Sequence, residues 1–202
     1  CGNVLTRLTH RIYDTPNQPN RQTRQRTAMN PLFGNPAAPT FDDPLEMLRA
    51  CHGRIEAQCA TLIRLVSHLQ AHGNDEQAVQ AARAVLRYFD TAAVHHHQDE
   101  EDDLFPLLLS SGHPDIPPLI DHLLEEHKEL GASWQALRPR LLAITEQRED
   151  KLDAQSITRL VDGYARHIAR ENQQLLPLAK TLLDAQQLQA LGHKMASRRG
   201  VN

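Results

Sequence analysis

Aromatic residues and glycines are scarce in this sequence: aromatics make up 4% of its 202 residues, and there are only 9 glycines. Sandwiches and barrels need β-branched and aromatic runs separated by frequent tight turns, so this composition argues against both. Leucine, alanine, glutamine, arginine and glutamate recur instead, and these residues favour helices. We therefore expect an all-α protein.

Long apolar runs, strong charge and a cysteine framework are also missing. The formal net charge is -3, which gives no support to a nucleic-acid partner. No uninterrupted run of about 18 apolar residues exists, so we expect no membrane partner. The three cysteines are Cys1, Cys51 and Cys59; the last two would lie roughly 12 Å apart on one helix, too far to bridge. With no apolar signal segment either, the expected location is the cytoplasm.

The first 40 residues differ from the rest of the chain. They are rich in Asn, Gln, Pro, Thr and Arg and show no helical or strand period, which predicts a disordered or extended tail. Met29 looks like a natural start, so an alternative is that residues 1–28 are not native. A lipoprotein beginning at Cys1 is a further alternative that no other feature supports. We predict two parts: a tail over 1–40 and a helical domain over 41–202.

Four long amphipathic helices are predicted from residue 42 onwards. The first begins at Asp42-Asp43-Pro44 and ends near Gly73, and the second spans about 75–109. The third begins at Pro117-Pro118, and the fourth begins near Asp153. Each carries apolar residues at 3–4 spacing. Because the connections are short, we expect an antiparallel up-down four-helix bundle, followed by a short C-terminal helix over about 184–195.

An internal repeat carries the chemistry. The second helix has His96 and Glu100 at i, i+4, and the fourth repeats the pair 71 residues later as His167 and Glu171. The first and third helices match with an offset of 75, which pairs His52 with His127. Each helical hairpin therefore offers one His and then a His-x-x-x-Glu pair.

These histidines and glutamates fall on the apolar stripes of their helices. Residues i and i+4 share one helix face, so both pairs point into the core, where unpartnered polar groups are costly. Two divalent cations would use all six groups, with each carboxylate bridging the ions and each imidazole capping one of them. Two carboxylates leave such a pair underneutralised, which favours an oxide or hydroxide bridge and leaves positions open for a small ligand.

The residues resemble the hemerythrin-like (HHE cation-binding) family. The resemblance covers about residues 42–183 and rests on motifs that follow in order on all four helices. They are a His on helix one, H-x-x-x-E-E-x-x-L-F-P on helix two, E-H on helix three, and H-x-x-x-E near L-L-P on helix four. It implies a four-helix bundle with two iron ions. By position it implies one iron capped by His52 and His96, the other by His127 and His167, and bridges from Glu100 and Glu171.

The sequence departs from the oxygen carriers of that family on the third helix. Those carriers have H-x-x-x-H there, whereas His122 stands five residues before His127, about 140° away on a regular helix. His122 is therefore an additional ligand only if the helix bulges locally. The tandem His95-His96-His97 leaves two registers, of which we prefer His96 with Glu100. We expect His95 and His97 to lie on a solvated flank, and Asp99–Asp103, apart from Glu100, to form a charged outer face.

The resemblance implies several functions, and the sequence favours a binding, sensing or stress protein over an enzyme. The first hypothesis is a diiron protein that binds or senses dioxygen or nitric oxide. Alternatives are iron homeostasis or repair of iron–sulfur centres, a diiron oxidase or peroxidase, and a structural bundle without metal. Manganese and zinc suit the same ligands, and a homodimer stays open.

Overall fold

A computed structural model describes residues 40–201, and every regular element in that range is helical. The all-α prediction is confirmed. The tail predicted for residues 1–40 lies, up to residue 39, outside the described residues, and a domain boundary at residue 41 stays a prediction. Within the described range each helix is either too short or too polar to cross a membrane.

The predicted long helices are present, although two of them are interrupted. Helix α1 spans Pro44–His72 and α5 spans Ile116–Thr145. The second stretch comprises α2 (Glu76–Asp90), α3 (Ala92–Gln98), a π-helical segment (Asp99–Leu104) and α4 (Phe105–Ser110). The fourth comprises α6 (Ala154–Arg170), a second π-helical segment (Glu171–Leu175) and α7 (Leu176–Leu182). Helix α8 spans Ala185–Arg198, close to the predicted C-terminal helix.

Aspartate caps set where several of these helices begin. The Asp43 carboxylate accepts the Glu46 N–H ahead of α1, Asp75 accepts the Ala78 N–H ahead of α2, and Asp153 accepts the Ser156 N–H ahead of α6. Each such bond satisfies one of the donors that a helix start leaves free and contributes about 1 kcal/mol. Gly73 ends α1 with φ at 72°, a left-handed conformation that glycine adopts without strain.

The long helices pack in a closed ring. Helix α1 contacts α2 and α6, and α5 contacts the same two helices from the other side. Two apolar clusters fill the interior. One includes Ile55, Phe89, Trp134 and Leu160, and the other includes Leu48, Leu104, Leu123 and Leu175.

The two clusters occupy different stretches of each helix, with a polar layer between them. Along α1 and α5 the cluster containing Leu48 comes first, and along the second and fourth stretches the cluster containing Phe89 comes first. Neighbouring helices of the ring therefore run in opposite directions. The predicted histidines and glutamates lie where one cluster gives way to the other.

Helix α8 is attached to the first π segment by buried ion pairs. Asp99 is fully buried and binds Arg198 and Arg199, while Asp103 binds Arg198 and Lys194, with Nζ of the lysine 2.9 Å from its carboxylate. The expectation of a charged outer face is therefore wrong for Asp99 and Asp103. The sequence shows five consecutive acidic residues at 99–103. It does not show that three basic residues about 95 positions later pair with two of them.

Candidate metal centre

Six of the predicted residues meet in the polar layer between the two apolar clusters. Their side chains are at most 4% exposed, and they are His52, His96, Glu100, His127, His167 and Glu171. Within the described residues these donors form two overlapping groups whose ligand atoms all lie within 4.8 Å of one another. We call the group His52, His96, Glu100 and Glu171 site A, and the group His127, His167, Glu100 and Glu171 site B.

Each carboxylate faces both sites with one oxygen apiece. Oε1 of Glu100 lies 3.4 Å from His96 Nε2, and its Oε2 lies 3.5 Å from His127 Nε2. Glu171 mirrors this, with Oε2 at 3.0 Å from His52 Nε2 and Oε1 at 3.3 Å from His167 Nε2. Such an arrangement is what two bridging carboxylates between a pair of cations require.

Most of these atoms have no hydrogen-bond partner. Both oxygens of Glu100 and of Glu171 are buried and unpartnered, as are His52 Nε2 and both ring nitrogens of His96; the 3.0 Å contact of His52 with Glu171 is not aligned as a hydrogen bond. Native proteins rarely leave buried polar atoms unsatisfied, because each costs the lost hydration. The donor set and its orphaned atoms therefore fit a pair of bound cations.

Both π segments begin at or beside one of the two glutamates that sites A and B share. The first contains Glu100 and the second starts at Glu171, and each is followed by a proline, Pro106 and Pro177, again 71 residues apart. A proline inside a helix has no N–H to donate and its ring clashes with the carbonyl four residues back. One wider turn before each proline relieves that clash, and such turns are frequent at functional sites. The repeated L-F-P and L-L-P signals could have predicted it.

Three of the four histidines are held through Nδ1. The Nδ1 of His52 lies 3.0 Å from the amide oxygen of Asn172, that of His127 lies 2.6 Å from Glu101 Oε1, and that of His167 lies 3.0 Å from Glu126 Oε2. Amide and carboxylate oxygens only accept, so in each case Nδ1–H donates and Nε2 faces the site. Sequence reasoning missed these partners, although Glu101 and Asn172 directly follow Glu100 and Glu171, and Glu126 directly precedes His127.

Two of the four histidines have a raised pKa and two have a lowered one. Burial alone would lower the pKa of His52, but its contacts with Glu100 and Glu171 raise it to about 10. His167 behaves alike, with a pKa of about 9. Burial lowers the pKa of His127 to about 4 and that of His96 well below its ordinary value. A cation needs neutral imidazoles, so binding must displace the protons that His52 and His167 carry.

The two carboxylates also differ in pKa. Burial and the neighbouring Glu171 charge raise the pKa of Glu100 to about 8. Burial would raise the pKa of Glu171 too, but the imidazolium groups of His167 and His52 hold it well below its ordinary value. Burial disfavours the charged form of both acids, and two ionised carboxylates here would also repel one another, so a pair of cations between them would offset both effects.

The other two candidate histidines lie differently from the prediction. His122 is outside the two sites: its side chain is 55% exposed, and its Nε2 lies 3.3 Å from Glu126 Oε1. His97, expected on a solvated flank, instead has a buried Nε2 with no partner, so that expectation is wrong. Its ring stacks on His127 with centroids 4.0 Å apart. The apolar stripe of the helix pointed to His96 alone, and no sequence signal distinguished His97 from His95.

Comparison with known proteins agrees with this geometry. A sequence model described as the hemerythrin HHE cation binding domain matches residues 43–179. The chain belongs to this family. It is also similar to an uncharacterized protein of Haemophilus influenzae, with 38% identity over 163 residues that cover 80% of this chain and 93% of that protein. The family's description names cation binding, which is the chemistry that the clustered donors favour.

Proposed function

We propose that this hemerythrin-family chain is an antiparallel up-down four-helix bundle that holds two iron ions and uses them to bind or sense dioxygen or nitric oxide. The observation that carries the proposal is the pair of buried carboxylates, Glu100 and Glu171, whose four unpartnered oxygens face site A and site B alternately. His52 and His96 would hold one ion, His127 and His167 the other, and both glutamates would bridge.

A bound iron pair would supply reversible electron transfer to a small ligand. The chain's own residues set the rest of the chemistry. Three histidines keep their protons on Nδ1 and so present Nε2 to the ions, and the apolar clusters on either side of the layer limit the access of water. Four imidazoles and two carboxylates balance two of the four positive charges of a diferrous pair, which favours an added anionic or electron-accepting ligand.

Native protein, purified without oxygen, provides the test. Metal analysis should find two irons per chain, and the reduced protein should gain near-ultraviolet absorption when dioxygen or nitric oxide is added. Protein that contains two irons and remains spectrally unchanged with both gases would contradict ligand binding. Manganese or zinc in place of iron would keep the site and reject the iron assignment.

One observation favours a second candidate, which is iron handling or repair of iron–sulfur centres. In site A, His96 has no partner at Nδ1, so one of its two imidazoles is not oriented by an outer hydrogen bond. Loss of such a bond commonly weakens metal affinity by about 10–100-fold, and a weakly held ion is suited to transfer. Transfer of one iron to an apo iron–sulfur protein would support this role, and retention of both ions would oppose it. An oxidase or peroxidase activity, a homodimer and a cytoplasmic location stay predictions.

A further inference from the structure

Among the described residues, the half-buried His97 lies beside the sites but is not one of the six predicted ligands. One of its ring nitrogens lies within 4.8 Å of the ligand nitrogens of both His127 and His167. Its Nε2 is buried without a partner, and its ring is stacked on His127 and set edge-on to His167, at centroid distances of 4.0 and 6.1 Å. The imidazole therefore lies against site B and has a buried Nε2 without a partner.

The repeat shows that this imidazole is specific to one half of the molecule. The residue 71 positions after His97 is Ile168, which is buried in an apolar cluster. The second hairpin therefore has isoleucine at the position where the first has histidine. Apolar packing satisfies this position in the second hairpin, so packing alone does not require a histidine in the first.

We propose that His97 supplies a third imidazole to the cation of site B. The inference rests on the proposed metal pair and goes beyond it by making the two ions unequal in ligand number. The ring is nearly parallel to that of His127, at an interplanar angle of 17°, so coordination requires it to turn about its side-chain torsions. That turn breaks no hydrogen bond of Nε2, because Nε2 has none.

The test is the variant His97→Ile, which places in the first hairpin the isoleucine that the second hairpin has at position 168. His95→Ala, from the same run of three histidines, is the matched control. Purified full-length chains are loaded anaerobically with ⁵⁷Fe²⁺, and Mössbauer spectra and chelator competition are recorded. We expect one of two iron signals to change and one ion to bind at least roughly tenfold more weakly, since the loss of outer-shell partners alone costs about that much. The control should match the wild type.

Three results separate the explanations. Unchanged spectra and affinities in His97→Ile would overturn the third imidazole while leaving the metal pair intact. Unchanged ligand-free spectra with altered azide binding would also overturn it, because the ring would then act on a bound ligand. A wild type that takes up no iron pair would instead refute the proposed function. The variant His97→Gln keeps a polar side chain, so the same single-ion change in both folded variants excludes a packing defect as the cause.

Discussion

Site A and site B share the carboxylates of Glu100 and Glu171, and each has its own pair of histidines, but their surroundings differ. In site B, His127 and His167 both donate through Nδ1 to carboxylates, those of Glu101 and Glu126. In site A, His52 donates to the neutral amide of Asn172, and His96 Nδ1 has no partner. A carboxylate makes an imidazole a stronger donor. Site B should therefore hold its ion more tightly and stabilise a higher charge on it.

The internal repeat shows which matched positions carry different residues beside the two sites. Glu101 corresponds to Asn172 at the offset of 71, and Glu126 corresponds to Cys51 at the offset of 75. In both cases the second member is a neutral residue; Cys51 is a buried free thiol. Both hairpins carry the same candidate ligands, so the difference between site A and site B lies in the residues beside those ligands.

The largest expected effect comes from removing a bridge. Glu171→Ala and Glu100→Ala each take one oxygen from both sites, so we expect both ions to be lost or to bind too weakly to survive purification. Metal analysis after gel filtration measures this. The apo form of Glu100→Ala should remain folded, because a repulsive buried carboxylate has been removed. Glu171→Ala should be the less stable apo form, because it also removes the counter-charge of His52 and His167. Retention of two ions per chain in either variant would exclude bridging.

A smaller loss should follow when one site is changed alone. His96→Ala removes a donor of site A only, and His167→Ala removes a donor of site B only. We expect each variant to keep about one ion per chain, and the ion that remains in His96→Ala to be the less exchangeable one. Equal exchange rates for the two remaining ions would contradict the difference between the sites.

The first π segment, unlike the second, is tied to α8, and breaking that attachment should lower stability. The double variant Arg198→Ala/Arg199→Ala leaves the fully buried Asp99 without a cation. Removing one side of a buried ion pair costs about 3–5 kcal/mol, so the free energy of unfolding should fall by about that amount in urea titrations.

Lys128→Ala is the matched control for the α8 variant. It breaks an exposed pair with Glu125, whose partners are 73% and 65% exposed, and such pairs contribute at most about 1 kcal/mol. Similar losses in the two proteins would show that the buried attachment adds nothing.

The smallest effect is expected from exchanging the residues that accept hydrogen bonds from histidine Nδ1. Asn172→Asp gives His52 a carboxylate, and Glu101→Gln takes one from His127. We expect the first to tighten the weaker ion and the second to loosen the tighter one, each by about tenfold. Chelator competition reports both constants. If both variants change metal affinity in the same direction, the residues bonded to histidine Nδ1 do not cause the difference in affinity between the two sites.

Much of the fold and of the site could be predicted from the residues themselves, for a physical reason. Helical periodicity and aspartate caps are local, so the starts near Pro44 and Asp153 follow from neighbouring residues. The His-x-x-x-Glu spacing places His96 beside Glu100 and His167 beside Glu171 on single helices, without any knowledge of packing. The six donors that the sequence singled out all meet in the structure, and His97, which the sequence placed on a flank, lies with them.

Other features depend on contacts between distant helices. The bond from His52 to Asn172 joins residues 120 positions apart, and Arg198 reaches Asp99 from 99 positions away. The ring of His97 is partly covered because His127 of α5 stacks on it, whereas a helical wheel for the second stretch alone places it on a flank. The π turn also shifts the register of the residues that follow it, which a regular 3.6-residue period does not represent.

The most direct measurement is a stepwise anaerobic titration of the full chain with ⁵⁷Fe²⁺, followed by Mössbauer spectroscopy of the loaded protein. We expect uptake of two ions per chain, with the tighter ion filling first, and two iron signals of equal area and different quadrupole splitting. A single signal that grows uniformly to two ions would show that the sites are equivalent. Uptake of one ion or none would contradict the metal pair itself.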